Sequence, residues 1–176
     1  MRRVSIPQAK FNYSALKGSD FSGSDLTNSS FLCSDLTSVK FDGANLTGAK
    51  FNMSSLTGAS FERCVLNQAH FKMTDLSGLR FENLTLEGTI FESTQLDQTS
   101  FENSLLRNVS FDVPISYPFG KSGRLKGTSF RNAVLENVSF RNTKVDKANF
   151  DGATMDKVTY AALKGYGAKL ADVTIS

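Results

Sequence analysis

Large apolar residues recur at every fifth position along most of the chain. Phenylalanine occupies every tenth position from Phe11 to Phe111, and leucine falls midway from Leu16 to Leu106. After a gap the alternation resumes as Leu125, Phe130, Leu135, Phe140, Val145, Phe150, Met155 and Tyr160. A period of five fits neither a helix, whose face recurs at three or four residues, nor a strand, whose face recurs at two. It predicts short extended segments separated by corners, each segment pointing one large residue inward.

A second inward position lies two residues before each large residue, and it is almost always small. Its occupants include Ser24, Ser34, Ala44, Ala59, Cys64 and Thr74. In an extended chain, side chains two residues apart lie on the same face. A small residue beside a large one fills a narrow interior without strain.

Five-residue units such as Gly43–Thr47 (Gly-Ala-Asn-Leu-Thr) and Gly18–Ser22 (Gly-Ser-Asp-Phe-Ser) resemble the pentapeptide-repeat family. The resemblance covers Ile6 to about Tyr160 with one interruption. It implies an all-β fold, a right-handed quadrilateral parallel β-helix in which four five-residue faces make one coil. Residues 1–176 then form a single domain of about eight coils, roughly 40 Å long. Phenylalanines one coil apart should stack in two columns on opposite faces, with leucines on the other two.

The repeat breaks once, over residues 112–124. The period places the next large residue after Phe111 at position 116, but it comes at Leu125, so nine residues are inserted. Two of the three prolines lie in this segment, and proline and glycine favour a turn-rich loop outside the ladder. Because aromatic and arginine side chains dominate binding hot spots, the candidate partner-binding residues here are Tyr117, Phe119, Lys121 and Arg124. The alternative is a lid whose Phe119 packs back onto the rod.

The coil period also predicts files of surface charge. Asp42, Glu62, Glu82 and Glu102 should form an acidic file, which is a second candidate partner-binding surface. Between residues 82 and 112 six acidic residues face one basic residue, and between 121 and 147 seven basic residues face two acidic ones. The pattern fits either an ordinary solvated surface or a bipolar surface that orients a partner.

The sequence predicts no catalytic, cofactor-binding or metal-ligating residues, and therefore no enzyme. A filled rod offers no pocket in which groups converge. His70 is the single histidine and should lie on the surface. Cys64 occupies an inward small position, where it should be inert, whereas Cys33 should point outward.

Location and partners are constrained only loosely. The net charge is +3, and no apolar run resembles a signal peptide or a membrane span. We expect a cytoplasmic protein without membrane contact, although secretion as an effector stays open, and the modest charge disfavours direct nucleic-acid binding. Residues 161–176 should form a ragged coil or a helical cap. An uncovered last strand edge would allow a homodimer through this end.

Two functions follow from the resemblance. The first is a non-enzymatic scaffold that presents the faces of the β-helix and a projecting loop to a protein partner. The alternative is a DNA-mimic-like, topoisomerase-binding protection protein of the quinolone- or toxin-resistance type. The positive net charge is a poor match for a DNA mimic, because duplex DNA carries one negative charge per roughly 1.7 Å.

Overall fold

The computed structural model describes residues 1–115 and 123–176, and it is a parallel β-solenoid. Residues one coil apart pair in parallel, as Ser5 does with Asp25 and Asp25 with Asn45. Most pairings are single bridges between short extended segments. The longer strands are β1 (His70–Lys72), β2 (Thr85–Glu87), β3 (Ile90–Glu92), β4 (Leu105–Arg107), β5 (Val134–Glu136), β6 (Thr154–Met155) and β7 (Thr174–Ile175). They form two sheets, β1-β3 and β2-β4-β5-β6-β7.

Hydrogen bonds run in both directions between successive coils. Leu26 N donates to Asn45 O at 2.9 Å, and Asn45 N donates to Ser24 O at 2.9 Å. The same exchange recurs from coil to coil, so neighbouring coils satisfy each other's backbone groups. The predicted parallel β-solenoid is therefore confirmed, while its right-handed sense and the number of coils stay predictions.

Two phenylalanine columns fill the interior. Within a column the rings stack, as Phe51 and Phe71 do with centroids 4.9 Å apart and planes 8° apart. Across the interior they meet edge to face, as Phe51 and Phe61 do at 6.1 Å and 86°. Both arrangements are favourable for aromatic pairs. The predicted stacking of phenylalanines one coil apart is confirmed.

Hydrogen bonds between coils explain why serine and threonine are tolerated at the small inward positions of the core. Thr99 Oγ1 donates to Leu76 O at 2.9 Å, and Ser104 Oγ donates to Phe81 O at 2.7 Å. Each hydroxyl therefore donates a hydrogen bond to a carbonyl of the preceding coil, which removes most of the free-energy cost of burying it.

Most corners are built by a left-handed residue, the second after the large one. Gly43 has φ of 69° and Asn103 has φ of 57°. Glycine and asparagine adopt this region most easily. The asparagines also bond to each other between coils, as Asn137 Nδ2 does to Asn108 Oδ1 at 2.7 Å. Glycine and asparagine are thus frequent at corners, and bulkier residues such as Tyr13 and Arg63 also occur there.

The insertion lengthens one coil by nine residues without breaking the stack. Gln95 pairs with Arg124, and the rings of Phe101 and Phe130 stack at 5.2 Å. The ladder still includes Val113, whose N–H donates to Arg141 O, and resumes at Gly123, whose N–H donates to Thr94 O. Both ends of the predicted 112–124 segment therefore hydrogen-bond to neighbouring coils.

A helix, α1 (Lys157–Gly165), interrupts the β-structure near the C-terminus. Its N-cap, Asp156, accepts from Val158 N and Thr159 N, which satisfies two helix-start donors. Thr159 and Leu163 are buried. After α1, β7 pairs with β6 in the usual one-coil register. The segment predicted as coil or helix thus contains both, and the helix begins before residue 161.

Candidate interaction surface

The predicted acidic file exists, but most of its carboxylates already have partners. Asp42 Oδ1 accepts from the Glu62 N–H at 3.0 Å, and Ser129 Oγ donates to Glu102 Oε1 at 2.6 Å. Arg80 donates to Glu82 Oε2 at 2.5 Å, and this hydrogen bond lowers the pKa of Glu82. The file is therefore a partly neutralised surface rather than a row of free negative charge.

The other carboxylates of this region are also bonded. Lys72 Nζ lies 2.7 Å from Glu92 Oε1, and Asn108 Nδ2 donates to Glu87 Oε1 at 2.6 Å. Asp112 accepts from a hydroxyl and a backbone N–H of the next coil. We call the surface around the acidic file and these carboxylates the acidic middle. Most of these carboxylates therefore have hydrogen-bond partners within the molecule, and Glu82, Glu92 and Asp112 pair with a cation.

Four cations lie together on the C-terminal side of the insertion. They are Arg124, Lys126, Lys144 and Lys147, which we call the basic face. All four are exposed, and they line a shallow depression of about 160 Å³ with Leu125 and Asp146. Lys147 also borders a second depression, which Lys169 extends towards the C-terminus.

Backbone hydrogen bonds hold the basic face rigidly. Arg124 and Lys144 pair directly across adjacent coils. Lys144 N donates to Gly123 O at 2.7 Å, and Gly127 N donates to Lys147 O at 3.0 Å. The positive groups are thus presented from a fixed platform, although their long side chains remain free to move.

The cations of the basic face are not used in internal ion pairs. Among the ion pairs of residues 1–115 and 123–176, none includes these four side chains. Asp97, the acid on the preceding coil, accepts from the backbone N–H of Lys126 at 3.1 Å. Residues 116–122 contain no acidic residue. Within the described part of the chain, Asp146 is then the one carboxylate that lines the basic depression.

The sequence-predicted candidates fall into three groups. Asp42, Glu62, Glu82 and Glu102 follow one another on successive coils, as expected. Arg124 belongs to the basic face, while Tyr117, Phe119 and Lys121 lie outside the described residues. Sequence reasoning did not single out Lys126, Lys144 or Lys147. The one-coil spacing of Arg124 and Lys144 was the signal that would have found this surface.

Reactive groups elsewhere are dispersed. Within the described ranges, no three or more His, Cys, Asp or Glu side chains are grouped to hold a metal ion. His70 is part-buried rather than fully on the surface, with Nε2 3.6 Å from Glu92 Oε2, and burial lowers its pKa. Cys64 is buried as predicted, and burial raises the pKa of its thiol to about 12. No helix of the described chain is long and apolar enough to cross a membrane.

Comparison with known families agrees with the repeat. A match to "Pentapeptide repeat region" covers residues 34–111, and a match to "Pentapeptide repeats (8 copies)" covers residues 8–43 and 124–156. The chain belongs to the pentapeptide-repeat family. The gap between the matched ranges coincides with the insertion after Phe111. No curated protein matches the sequence significantly.

The chain is similar to several solved structures, and the likeness to QnrB1 supports the fold. The full-length plasmid-mediated fluoroquinolone resistance protein QnrB1 superposes with a TM-score of 0.54 at 14% identity, covering 98% of this chain and 93% of that one. HetL from Nostoc sp. strain PCC 7120, involved in heterocyst differentiation regulation, matches with a TM-score of 0.43 at 20% identity, covering 99% and 88%. A protein of the Arabidopsis thaliana thylakoid lumen is 32% identical over 60% of this chain and 69% of its own, with a TM-score of 0.38.

Proposed function

We propose that this repeat protein is a non-enzymatic scaffold and that its basic face binds an acidic segment of a protein partner. One observation carries the proposal: four exposed cations share a rigid platform without internal ion pairs among the described residues. Such a surface attracts negative charge from a distance and orients the partner on arrival. Arg124 supplies a planar fork for a carboxylate, whereas the lysines act as mobile point charges.

A protein partner is favoured over nucleic acid by the size and composition of the surface. The basic face spans two coils, roughly 5 Å along the rod, and Asp146 lies within it. Proteins that bind duplex DNA commonly neutralise about 6–10 phosphates. A short acidic peptide segment fits this smaller, mixed surface better.

The alternative is the DNA-mimic-like, topoisomerase-binding function. The acidic file is the observation that favours it, and QnrB1 is a fluoroquinolone resistance protein with the same fold. Two facts weigh against it. Arg80 lies within the file and bonds to Glu82, and the net charge of the chain is +3. We therefore keep it as the second candidate.

The direct test uses a fluorescent deca-glutamate peptide and fluorescence anisotropy at low salt. We expect the intact protein to bind and the Lys144→Glu/Lys147→Glu variant to bind at least tenfold more weakly. The matched control is Lys10→Glu/Lys17→Glu, which makes the same charge change at exposed positions near the N-terminus. Equal losses in both variants would show that only net charge matters. Tighter binding of a DNA duplex than of the peptide would also overturn the proposal.

The predicted contribution of the insertion needs a separate experiment. Tyr117, Phe119 and Lys121 stay predictions, and a variant with residues 116–122 replaced by a glycine–serine linker removes all three. We expect capture with the intact chain to retain a protein that this variant loses. Retention of the same protein by both forms would assign recognition to the faces of the rod alone. Capture of a topoisomerase would favour the alternative function.

The predicted homodimer through the C-terminal end also stays a prediction. β7 is the outermost strand of its sheet, so it is the strand to test. Sedimentation of the intact chain at high concentration measures this directly. A monomer at all concentrations would contradict the dimer.

A further inference from the structure

One ladder of the solenoid changes from polar to apolar outward residues along the rod. On its first three coils the outward residues are Ser5, Asp25 and Asn45. On the next four coils they are Val65, Thr85, Leu105 and Val134, which we call the apolar file. Each follows a buried inward position and precedes a buried leucine, so its side chain points outwards. Val65 is 43% exposed, Thr85 is also exposed, and the other two are half-buried.

The ladder itself does not require apolar residues at these outward positions. Elsewhere the same positions pair with polar residues, as Lys50 does with His70 and Ser55 does with Asp75. The apolar file lies on the five-stranded sheet β2-β4-β5-β6-β7 and on the coil before it. Parallel sheets with apolar residues on a face normally have that face covered. The apolar file is therefore a surface that favours a packing partner.

A second column on the same coils carries charge beside the apolar file. Two residues after each member of the file come Asn67, Glu87, Arg107 and Glu136, which we call the polar column. Arg107 Nε donates to Glu136 Oε2 at 2.5 Å, and the Arg107 side chain is 48% exposed. Glu87 Oε1 accepts from Asn108 Nδ2 at 2.6 Å. A guanidinium has five N–H donors and a carboxylate has two oxygens, so Arg107 and Glu87 can each bond to a further partner.

We propose that this sheet face forms a weak antiparallel homodimer, in which a second copy of the chain packs its own apolar file on the first. The two-fold axis crosses the rod between β2 and β4, at the midpoint of the file. Thr85 then faces Leu105 of the second copy, and Val65 faces Val134 of the second copy. Each contact is made twice, because a two-fold interface uses the same patch on both chains.

The polar column selects this register. With the axis between β2 and β4, Glu87 faces Arg107 of the second copy, and Asn67 faces Glu136 of the second copy. Both pairs are complementary in charge or hydrogen bonding. Moving the axis onto β4 would instead set Arg107 against Arg107 of the second copy, and opposed like charges weaken association. The apolar file and the polar column are therefore matched in the same arrangement.

The size of the surface sets the strength of the dimer. Two packed sheets lie about 10 Å apart and cross at roughly 30°, so their ends diverge and the central coils make the contacts. Four coils span only about 19 Å along the rod. Interfaces that bury less than about 1,200 Å² in total belong to weak complexes. This sheet face is separate from the outer edge of β7, where the C-terminal dimer is predicted.

The test is sedimentation equilibrium of the intact protein up to about 1 mM, where a weak complex is populated. We expect a reversible dimer. Arg107→Glu and Glu87→Arg each oppose like charges across the axis and should weaken it at least tenfold. An equimolar mixture of the two variants restores opposite charges across the axis and should dimerise at least as tightly as the natural protein. Because the internal pair with Glu136 stays broken in Arg107→Glu, recovery in the mixture reports contact between chains.

A second pair of variants tests the apolar file. Leu105→Ser should weaken the dimer at least tenfold. The matched control is Ile90→Ser at a 37% exposed outward position of β3, which should leave the dimer unchanged. Circular dichroism checks that each variant folds.

Three results would overturn the proposal. The first is a monomer at all concentrations of the natural protein. The second is a dimer that persists in Arg107→Glu or Leu105→Ser, because the chains would then meet through another surface, such as the edge of β7. The third is failure of the mixed charge variants to dimerise, which would contradict the antiparallel register.

Discussion

The acidic middle and the basic face are built on the same ladder but use their charge differently. In the acidic middle, Glu82 bonds to Arg80 and Glu102 to Ser129, so its carboxylates serve contacts between or along coils. On the basic face, Arg124 and Lys144 lie side by side without an acidic partner among the described ion pairs. The basic face is therefore a cluster of cations without ion pairs among the described residues, whereas several carboxylates of the acidic middle pair with a cation.

This contrast shows that charge counted along a solenoid sequence differs from charge on its surface. Bonded partners in the acidic middle lie either on successive coils, as Ser129 and Glu102 do, or two positions apart, as Arg80 and Glu82 do. A count of charges along a stretch of sequence treats such residues as independent of each other. The period of the coil reveals which residues on successive coils meet, and extended geometry places residues two positions apart on the same face.

The largest expected effect is on the free energy of unfolding. It tests whether the acidic middle and the basic face share one core. Phe81→Ala, below the acidic file, and Phe130→Ala, nearer the basic face, should each lower the free energy of unfolding by about 3–5 kcal/mol through the cavity left behind. Both side chains are fully buried. Chemical denaturation measures both. A cost below about 1 kcal/mol at either site would show that the core there is not packed as described.

The next largest effect on stability is expected at the N-cap of α1, the helix that follows the basic face in the sequence. Asp156→Ala should cost about 1 kcal/mol, the usual value for a lost N-cap. Burial opposes ionisation of Asp156, but hydrogen bonds from Thr159, Asn137 and Val158 outweigh it and lower its pKa. A lowered pKa stabilises the fold above about pH 4. That contribution is lost as the pH falls through the folded-state pKa.

Thermal denaturation between pH 7 and pH 2 measures this dependence. The control is Asp156→Asn, which keeps a capping oxygen but cannot titrate. It should be less sensitive to acid than the natural protein in this range. Identical acid sensitivity in both would exclude Asp156 as a contributor.

A smaller effect tests whether the acidic middle is neutralised internally. Arg80→Ala should raise the pKa of Glu82 towards its ordinary value, because the hydrogen bond from Arg80 is the main cause of the lowered pKa. A carboxyl ¹³C NMR titration follows Glu82 directly. Lys126→Ala is the control and should leave Glu82 unchanged. If Glu82 titrates in the Arg80→Ala variant as it does in the natural protein, the claim that Arg80 neutralises Glu82 is wrong.

The smallest effect is expected on the basic face itself. Lys144→Ala/Lys147→Ala should change the free energy of unfolding by less than about 0.5 kcal/mol, since exposed side chains outside any network contribute little. Denaturant unfolding, with the natural protein measured in parallel, gives the difference. A loss above about 1 kcal/mol would reveal internal contacts and contradict the idea that these cations are available.

Most of the fold could be predicted because one short period repeats. The in-frame phenylalanines define the columns, and the delayed return of the period at Leu125 gives the nine-residue shift in pairing. Tyr160 keeps the period and Gly165 breaks it, but neither reveals that a helix occupies this stretch, because helix formation there depends on the cap at Asp156. The candidate surface was less predictable. Glu82 reads as a free charge in sequence until Arg80 is placed beside it.

The most direct test of the central claim is an NMR titration of the intact protein with the deca-glutamate peptide. If available charge lies on the basic face, the largest backbone amide shifts should fall at residues 124–126 and 144–147. Residues around Glu62, Glu82 and Glu102 should shift little. Shifts spread evenly over all exposed lysines, or their absence from 124–126 and 144–147, would contradict the claim.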